Sequence, residues 1–443
     1  MLHFKKVLFY FILFQRKEIP ESLYSHFTFI KNFLVPIMRK KIAKSNYNLL
    51  LLGSMLVGLV LASLNIPLIF QSAEIVSGIF LKLLKFLSLP LVFFAIGSTI
   101  TSIKNFQIML SLGSKVLYYT LLTTIIAATI GLGLFLVIYP VMPLEEAAGS
   151  ASAVCSTGYL KVLANTIPGN ILEPFLDNNV ISATFLAALL GISSLFLAEK
   201  EKHFTQTLFS TFFSILLNVA KGVLKLLIPA TMAFSILFYR EVTHSQGNLV
   251  IFSKYLLCVV GANFIQGCIV LPWLLKANKL SPIQIAKSMS PALITAFFSK
   301  SSASTLPLTM ELAEEELKIK PSLSRLAFPL CSVINMNGCA AFILITVLFV
   351  AISHGMSFSI FSMIGWIFIA TLCAIGNAGV PMGCFFLASS LITSMHIPLH
   401  LLGLILPFYT VLDMIETSLN VWSDCCVVSM TNKHFSDKLI ELE

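Results

Sequence analysis

Eight long apolar segments constrain this 443-residue chain more than any other feature of its sequence. A helix needs about 20 mainly apolar residues to cross a bilayer. Segments of that kind lie near residues 47–70, 77–103, 115–140, 177–198, 206–239, 248–275, 324–353 and 399–430. Only 11% of the residues are charged, too few to cover a soluble globule of this size. We therefore predict an all-α polytopic membrane protein, which excludes a soluble enzyme, a nucleic-acid-binding module and a disordered protein.

The net charge of +9 indicates membrane topology rather than a nucleic-acid partner. Lys and Arg cluster in short segments between apolar stretches, such as Arg39-Lys40-Lys41 before the first span and Lys276 and Lys279 after the sixth. Cytoplasmic loops of membrane proteins carry an excess of positive charge of this kind. Eight crossings then place both termini in the cytoplasm, and we expect a multi-pass protein of the cell (inner or cytoplasmic) membrane.

The nine cysteines are expected to be small buried hydrophobic residues. They include no CxxC pair, and most of them lie inside apolar spans. The sequence therefore predicts neither disulfides nor a zinc site.

Two further apolar stretches are interrupted in the middle. Residues 284–315 are broken by the Ser-rich segment 299–305, and residues 357–396 by the Gly- and Pro-rich segment 376–383. Irregular backbone survives at membrane depth only where it lines a cavity or is packed in protein. Ordinary loops between short helices are the alternative, but each break has apolar arms of helical length on both sides. We predict two re-entrant helical hairpins, the arrangement that indicates a binding site in transporters.

The last span carries a polar stripe on an otherwise apolar helix. At about 100° per residue, its polar side chains fall within an arc of roughly 100°. They are Asp413, Glu416, Thr417, Asn420 and Asp424. A carboxyl at the bilayer centre is costly unless it is solvated, neutralised or paired. A structural hydrogen-bonding stripe would be cheaper with Ser, Thr or Asn, so the carboxyls favour a bound cation: an amine, Na⁺ or a proton.

The seventh span contains a second polar motif, Asn335-Met336-Asn337-Gly338. Two amides at positions i and i+2 beside a glycine predict a locally unwound helix with exposed carbonyls. Discontinuous transporter helices coordinate Na⁺ through such carbonyls. A simple polar kink is the alternative, which the neighbouring hairpins and the stripe make less attractive.

In these motifs the chain resembles the dicarboxylate/amino acid:cation symporter family, which includes the excitatory amino acid transporters. The similarity covers about residues 47–432 and is densest after residue 290. The segments that carry it are 301–310, 335–338, 378–381 and 413–424. The resemblance implies eight spans with two oppositely oriented re-entrant hairpins, a homotrimer, and a transport domain that moves substrate across the membrane against a static scaffold, as an elevator does.

The resemblance also implies a division of the chain. We expect an interfacial cytoplasmic arm at 1–46 and a scaffold-rich part at 47–275, with the third and sixth helices in the transport domain. The transport core, 284–432, would hold the first hairpin, helix 7, the second hairpin and helix 8. A cytoplasmic tail would follow at 433–443.

By resemblance, Asp413 binds the substrate amino group, Asn420 binds its α-carboxylate, and the second hairpin forms a lid. The implied substrate-binding residues are Asp413, Glu416, Thr417, Asn420, Lys300, Ser301, Ser302, Val380 and Pro381. The implied cation-binding residues, which form three Na⁺ sites, are Asn335, Asn337, Asn420, Asp424, Thr123, Thr124, Gly376 and Asn377.

Two departures from the family pattern bear on the substrate and the ions. Members that carry acidic substrates have an Arg where Glu416 stands, and a carboxylate there would repel glutamate or aspartate. The pattern is closer to the serine/threonine:sodium symporters, and Lys300 is a candidate to neutralise Glu416. Asn337 stands where an Asp usually ligates Na⁺, and Thr120 stands where a Tyr is common. That ion is then absent or replaced by a proton, for which Glu416 is a candidate carrier.

The sequence thus predicts a secondary active symporter that couples amino acid uptake to a Na⁺ or H⁺ gradient. A small neutral amino acid is favoured, and a glutamate, aspartate or dicarboxylate symporter of the same family is the alternative. An ion channel is the alternative from a different functional class. An intramembrane enzyme is disfavoured, since no HExxH motif occurs and no Gly precedes Asp413. No cofactor beyond the coupling ions is expected, and the stoichiometry, and net uptake against exchange, stay open.

Overall fold

In the computed structural model of the protein, every regular element of the described residues is helical. The described residues are 50–101, 114–142, 167–176, 179–244, 246–377 and 382–440. The first helices are α1 (Leu50–Ser63), α2 (Pro67–Thr101), α3 (Ser114–Ile138), α4 (Glu173–Leu176), α5 (Val180–Ser194), α6 (Glu199–Leu224) and α7 (Leu227–His244). They are followed by α8 (Gln246–Ile265), a π-helical turn (Gln266–Val270), α9 (Leu271–Ala277), α10 (Pro282–Ser299) and α11 (Ser302–Glu315). The last are α12 (Pro321–Ile334), α13 (Asn337–Ser353), α14 (Ile360–Ile375), α15 (Gly383–Ser394) and α16 (His400–Ile440).

Six helical stretches of the described residues are long and apolar enough to cross a membrane. They are Pro67–Thr101, Ser114–Ile138, Glu199–Leu224, Leu249–Ala277, Leu323–Ser353 and His400–His434. The predicted first and fourth spans match shorter apolar helices, Leu50–Ser63 and Ser182–Ser194. The prediction of an all-helical membrane protein is confirmed, while two of its eight spans are shorter than expected.

The predicted border between the first two spans, 47–70 and 77–103, is misplaced. α1 ends at Ser63, and α2 already begins at Pro67. Asn65 between them has a φ of 57°, a left-handed conformation that asparagine tolerates better than most residues. Proline suits a first helical turn because it lacks an N–H that would have no partner there. The turn lies inside an apolar run, so hydrophobicity alone did not locate it.

The predicted fifth span, 206–239, is also wrong as a single helix. The chain turns at Lys225 and Leu226 between α6 and α7. Both helices pack against α2, so the chain stays beside the same partner helix before and after the turn.

The first interrupted stretch folds as two helices that pack against each other. α10 ends at Lys300, whose φ is 54°. The Ser301 side chain caps α11 by accepting a hydrogen bond from Ser304 N at 3.3 Å. Serine is a preferred N-cap because its oxygen satisfies a free N–H of the first turn. The predicted break within 299–305 is therefore confirmed.

The predicted seventh span, 324–353, is unwound at its amide motif, Asn335-Met336-Asn337-Gly338. α12 ends at Ile334 and α13 begins at Asn337, while Asn335 and Met336 have ψ angles of 69° and 67°. These angles are far from helical values. The predicted discontinuity is confirmed.

The second interrupted stretch has arms α14 and α15, which both pack against α13. α15 follows Met382, whose φ is 61°. A Cβ at Gly383 would overlap Asn377 Oδ1, so a larger residue there would have to displace the Asn377 side chain. The turn residues 378–381 lie outside the described residues.

α16, which carries the stripe, packs against α10, α12, α13 and α7. It extends to Ile440, so the predicted tail at 433–443 begins as helix rather than as a separate segment. Residues 441–443 and the predicted arm at 1–46 lie outside the described residues. The division into scaffold and transport core stays a prediction.

Candidate substrate and cation site

The polar stripe of α16 faces the protein interior, as predicted. The exposed fractions are Asp413 3%, Glu416 1%, Thr417 7%, Asn420 4% and Asp424 3%. Val411, outside the stripe, is 40% exposed. Since buried carboxyls are costly unless they bind a partner, the surroundings of each one indicate its function.

Asp413 lies where the two hairpins converge. Its Oδ2 accepts a hydrogen bond from Met382 N of the second hairpin at 3.4 Å. Lys300, at the turn of the first hairpin, interacts electrostatically with Asp413. Thr417 Oγ1 donates to the Asp413 carbonyl at 2.7 Å and so belongs to the same turn of helix. Asp413 is thus hydrogen-bonded to the second hairpin and lies within electrostatic range of the first.

Glu416 has a different environment. Among the described residues, neither of its carboxylate oxygens has a hydrogen-bond partner. The backbone is crowded there, because a Cβ at Gly338 would lie 2.9 Å from Glu416 Cα. The suggested neutralisation of Glu416 by Lys300 stays a prediction: Lys300 donates no hydrogen bond to either Glu416 oxygen. Glu416 is thus a buried hydrogen-bond acceptor whose two oxygens are both available to a bound group.

Asn420 supports the start of α13. Its Oδ1 accepts a hydrogen bond from Gly338 N at 2.9 Å, and its Nδ2 lies 3.2 Å from Cys339 Sγ. The first N–H groups of a helix lack intrahelical partners, and Asn420 satisfies one of them. The same amide is the predicted contact for the substrate α-carboxylate.

The predicted cation ligands of three helices form one hydrogen-bonded cluster. Asn335 Nδ2 donates to Asp424 Oδ1 at 2.9 Å and to Ser423 Oγ at 3.0 Å. Asn335 Oδ1 accepts from Thr123 Oγ1 at 3.2 Å and from Asn337 Nδ2 at 2.9 Å. Thr124 joins the cluster more loosely, with its Oγ1 3.5 Å from Asn337 Nδ2.

Gln266 also belongs to this cluster, although it was not predicted from the sequence. It is fully buried at the first position of the π-helical turn. Its Nε2 donates to Asn337 Oδ1 at 2.6 Å and to the Thr123 carbonyl at 3.0 Å. A side-chain amide thus holds two oxygens that a cation would otherwise attract. The available signal was Asn263 and Gln266, one helical turn apart within an apolar span.

The predicted third cation group lies at the end of α14. Gly376 caps this helix and Asn377 follows it, both buried. Asn377 Nδ2 lies 3.0 Å from Cys339 Sγ, and its Oδ1 has no hydrogen-bond partner among the described residues.

The remaining predicted substrate residues lie on the hairpin turns. Ser302 is buried, and its Oγ donates to the Ser332 carbonyl at 3.3 Å. Ser301 caps α11 and is half-buried. Val380 and Pro381 lie outside the described residues.

The expectation that no cysteines pair is wrong at one place. A disulfide joins Cys339, at the start of α13, to Cys384, at the start of α15. The two are 45 residues apart, so only the fold brings them together. Five free cysteines are buried, as expected: Cys258, Cys331, Cys373, Cys425 and Cys426.

Comparison with known proteins places this geometry in context. The model of the "Sodium:dicarboxylate symporter family" matches residues 48–434. An "Uncharacterized symporter" of Haemophilus influenzae is 26% identical over 88% of this chain and 93% of its own length. "Neutral amino acid transporter B(0)" of Bos taurus is 27% identical over 78% of this chain and 70% of its own. "L-cystine uptake protein TcyP" of Bacillus thuringiensis is 26% identical over 77% of each chain.

Proposed function

Because this chain belongs to the sodium:dicarboxylate symporter family, it is a membrane transporter and not an enzyme, and we propose that it couples the uptake of a small neutral amino acid to a cation gradient. Serine or threonine is the favoured substrate. The proposal places the substrate between the hairpin turns and the stripe of α16.

The observation that carries this choice is the buried Glu416 carboxylate with both oxygens unpartnered among the described residues. A serine or threonine hydroxyl can donate to that carboxylate, whereas the side chain of glutamate would bring a second negative charge beside it. Lys300 does not occupy the Glu416 oxygens, which have no hydrogen-bond partner among the described residues. Glu416 therefore favours a neutral side chain with a hydrogen-bond donor.

The other groups of the substrate have partners of suitable chemistry. The ammonium group pairs with Asp413, which is 3% exposed. The α-carboxylate binds near Asn420 and the first turn of α11, whose backbone N–H groups favour an anion. Two of the relatives, a neutral amino acid transporter and an L-cystine uptake protein, support an amino acid as the substrate.

Na⁺ is the favoured coupling ion. Oxygen ligands suit a hard alkali ion, and the cluster of Asp424, Asn335 and Thr123 offers carboxylate, amide and hydroxyl oxygens. However, the side-chain oxygen of Asn337 already accepts a hydrogen bond from Gln266 Nε2. We propose that this neutral amide network replaces one Na⁺, so that fewer ions accompany each substrate.

The proposed mechanism uses the two hairpins as elements of an elevator. Met382 links the second hairpin to Asp413, so this hairpin closes over the bound substrate from outside. The transport core then moves inward within a homotrimer of the inner membrane whose termini face the cytoplasm. Exposed apolar side chains such as Phe86 (67%) and Phe212 (47%) suit a surface covered by lipid or by a neighbouring subunit.

Uptake by purified protein in liposomes tests the proposal. Labelled serine, threonine, alanine, cystine, glutamate and aspartate are compared under an inward Na⁺ gradient, an inward H⁺ gradient, or neither. We expect serine to accumulate above its external concentration under the Na⁺ gradient, which an ion channel cannot achieve. Protein-free liposomes control for leakage. Accumulation of glutamate or aspartate in preference to serine would overturn the substrate assignment, and uptake that only equilibrates would overturn symport.

A further inference from the structure

Three potential metal ligands meet beside the substrate site. Cys339 Sγ, Cys384 Sγ and a Glu416 carboxylate oxygen all lie within 4.8 Å of one another. Each residue is at most 2% exposed. They come from three elements, the starts of α13 and α15 and the middle of α16.

Glu416 is the member of this cluster that lacks a partner. Both of its oxygens are unbonded among the described residues, although the side chain is 1% exposed. An ionised carboxylate in such a place needs a cation or a hydrogen-bond donor. A metal ion held by the neighbouring sulfurs would meet that requirement directly.

Side-chain amides surround the two sulfurs. Asn377 Nδ2 lies 3.0 Å from Cys339 Sγ and 3.5 Å from Cys384 Sγ. Asn420 Nδ2 lies 3.2 Å from Cys339 Sγ. Donors around a thiolate stabilise its negative charge and orient it toward a metal.

The ligand set differs from that of the proposed Na⁺ sites. Two sulfurs and one carboxylate oxygen suit a thiophilic ion such as Zn²⁺, whereas alkali ions prefer oxygen alone. Three protein ligands leave a fourth position for water, as in open zinc sites.

We propose that the reduced Cys339–Cys384 pair and Glu416 form a binding site for a thiophilic divalent cation such as Zn²⁺. The disulfide must first be reduced: two molecules of a low-molecular-weight thiol transfer two electrons and two protons, which gives two cysteine thiols and one small disulfide. Binding of the metal then releases the two thiol protons. The bound ion links the second hairpin, through Cys384, to α13 and α16.

Co²⁺ is the probe, because thiolate ligation gives it an intense near-ultraviolet charge-transfer band. Full-length protein in detergent is reduced, freed of reductant without oxygen, and titrated with Co²⁺. We expect a thiolate band that saturates at one Co²⁺ per chain and disappears when Zn²⁺ is added. Wild-type protein that keeps its disulfide should show no band, which tests the site without any change of sequence.

Variants assign the ligands. Cys339→Ser and Cys384→Ser should each reduce the band, the double variant should abolish it, and Glu416→Gln should weaken Co²⁺ binding at least tenfold. Cys268→Ser, which removes an exposed free cysteine, should leave the band unchanged. A reduced wild type without a band, or a double variant that retains it, would overturn the proposal.

Transport gives a separate readout. If the second hairpin must open, Zn²⁺ should inhibit serine uptake by reduced proteoliposomes, and a chelator should restore it. This consequence rests on the proposed function, but the spectra do not. A normal band without any serine uptake would therefore count against the transport assignment alone, whereas uptake without a band would count against the metal site alone.

Discussion

Asp413 is the residue at which both hairpins meet the last helix, through Met382 N on one side and the charge of Lys300 on the other. Asp413→Asn keeps the size of the side chain and removes the charge that we propose pairs with the substrate ammonium group. Loss of a charged hydrogen-bond partner costs about 1.5–3 kcal/mol, which lowers uptake at limiting serine about 10- to 100-fold. Initial rates in proteoliposomes measure this.

Ser429→Ala is the matched control for that experiment. Ser429 is buried on the same helix, and its hydroxyl has no hydrogen-bond partner among the described residues. It points away from the stripe, since 16 residues at about 100° each bring it nearly opposite Asp413. Uptake should survive in this variant. Normal serine uptake by Asp413→Asn would remove that residue from the substrate site.

Glu416 decides the side-chain specificity in our proposal. Glu416→Arg replaces a repelling carboxylate with a group that pairs with carboxylates. Glutamate should then compete with labelled serine about tenfold more effectively, which corresponds to about 1.4 kcal/mol. Glu416→Gln, of nearly the same size but without charge, should not gain this competition. Equal competition by glutamate in the wild type and the Arg variant would contradict the assigned role.

At the scale of elements, one hydrogen-bonded cluster links α3, the π-helical turn, α13 and α16. Its members are Thr123, Gln266, Asn337, Asn335 and Asp424. Asn337→Asp places a carboxylate where Gln266 Nε2 now donates to an amide oxygen. A charged ligand strengthens the interaction by about 1 kcal/mol, a factor of about five. The Na⁺ concentration for half-maximal uptake should fall by about that factor.

Asp424→Asn provides the opposite change in the same cluster. It removes the carboxylate that accepts from Asn335 Nδ2 at 2.9 Å, so the Na⁺ concentration for half-maximal uptake should rise. If Asn337→Asp left the Na⁺ dependence unchanged, the amide network would not be a substitute for an ion.

The sequence predicted those elements whose interruptions are marked by composition. The serines of 299–305, the glycines and proline of 376–383 and the Asn335–Gly338 motif each weaken a helix locally, so the breaks could be foreseen. The turns at Asn65 and Lys225 were missed because apolar residues continue through them. Hydrophobicity reports burial in lipid or protein, but it does not report where a helix bends.

Contacts between distant segments could be predicted only where a resemblance supplied them. The stripe of α16 follows from helical periodicity, yet its partners Met382 and Asn335 lie 31 and 89 positions away in the chain. The Cys339–Cys384 pair was rejected because spacing carries no information on a bridge between two separately folded helices. Lys300 has a left-handed conformation at the end of α10, which no periodicity reveals.

For the whole molecule, the proposed mechanism implies that shared ligands couple the binding of substrate and ions. Asn420 accepts a hydrogen bond from Gly338 N of α13 and lies on the stripe between Asp413 and Asp424. An ion that orders the start of α13 therefore also orders the proposed substrate site. Coupling of this kind is reciprocal: Na⁺ raises the affinity for serine by the same factor as serine raises the affinity for Na⁺. A ligand that binds only the folded state stabilises it by about 2.7 kcal/mol at 100 times its Kd.

Thermal unfolding of the purified protein therefore tests the coupling without transport. Serine should raise the Tm in Na⁺ buffer and have little effect when choline replaces Na⁺, and the Na⁺-dependent increase should be larger with serine present. In Asp413→Asn the increase due to serine should disappear while that due to Na⁺ persists, because we propose that the two ligands contact different carboxylates. An equal effect of serine in both buffers would mean that the ion and the amino acid bind independently, and the elements joined by α16 would then not act as one coupled unit.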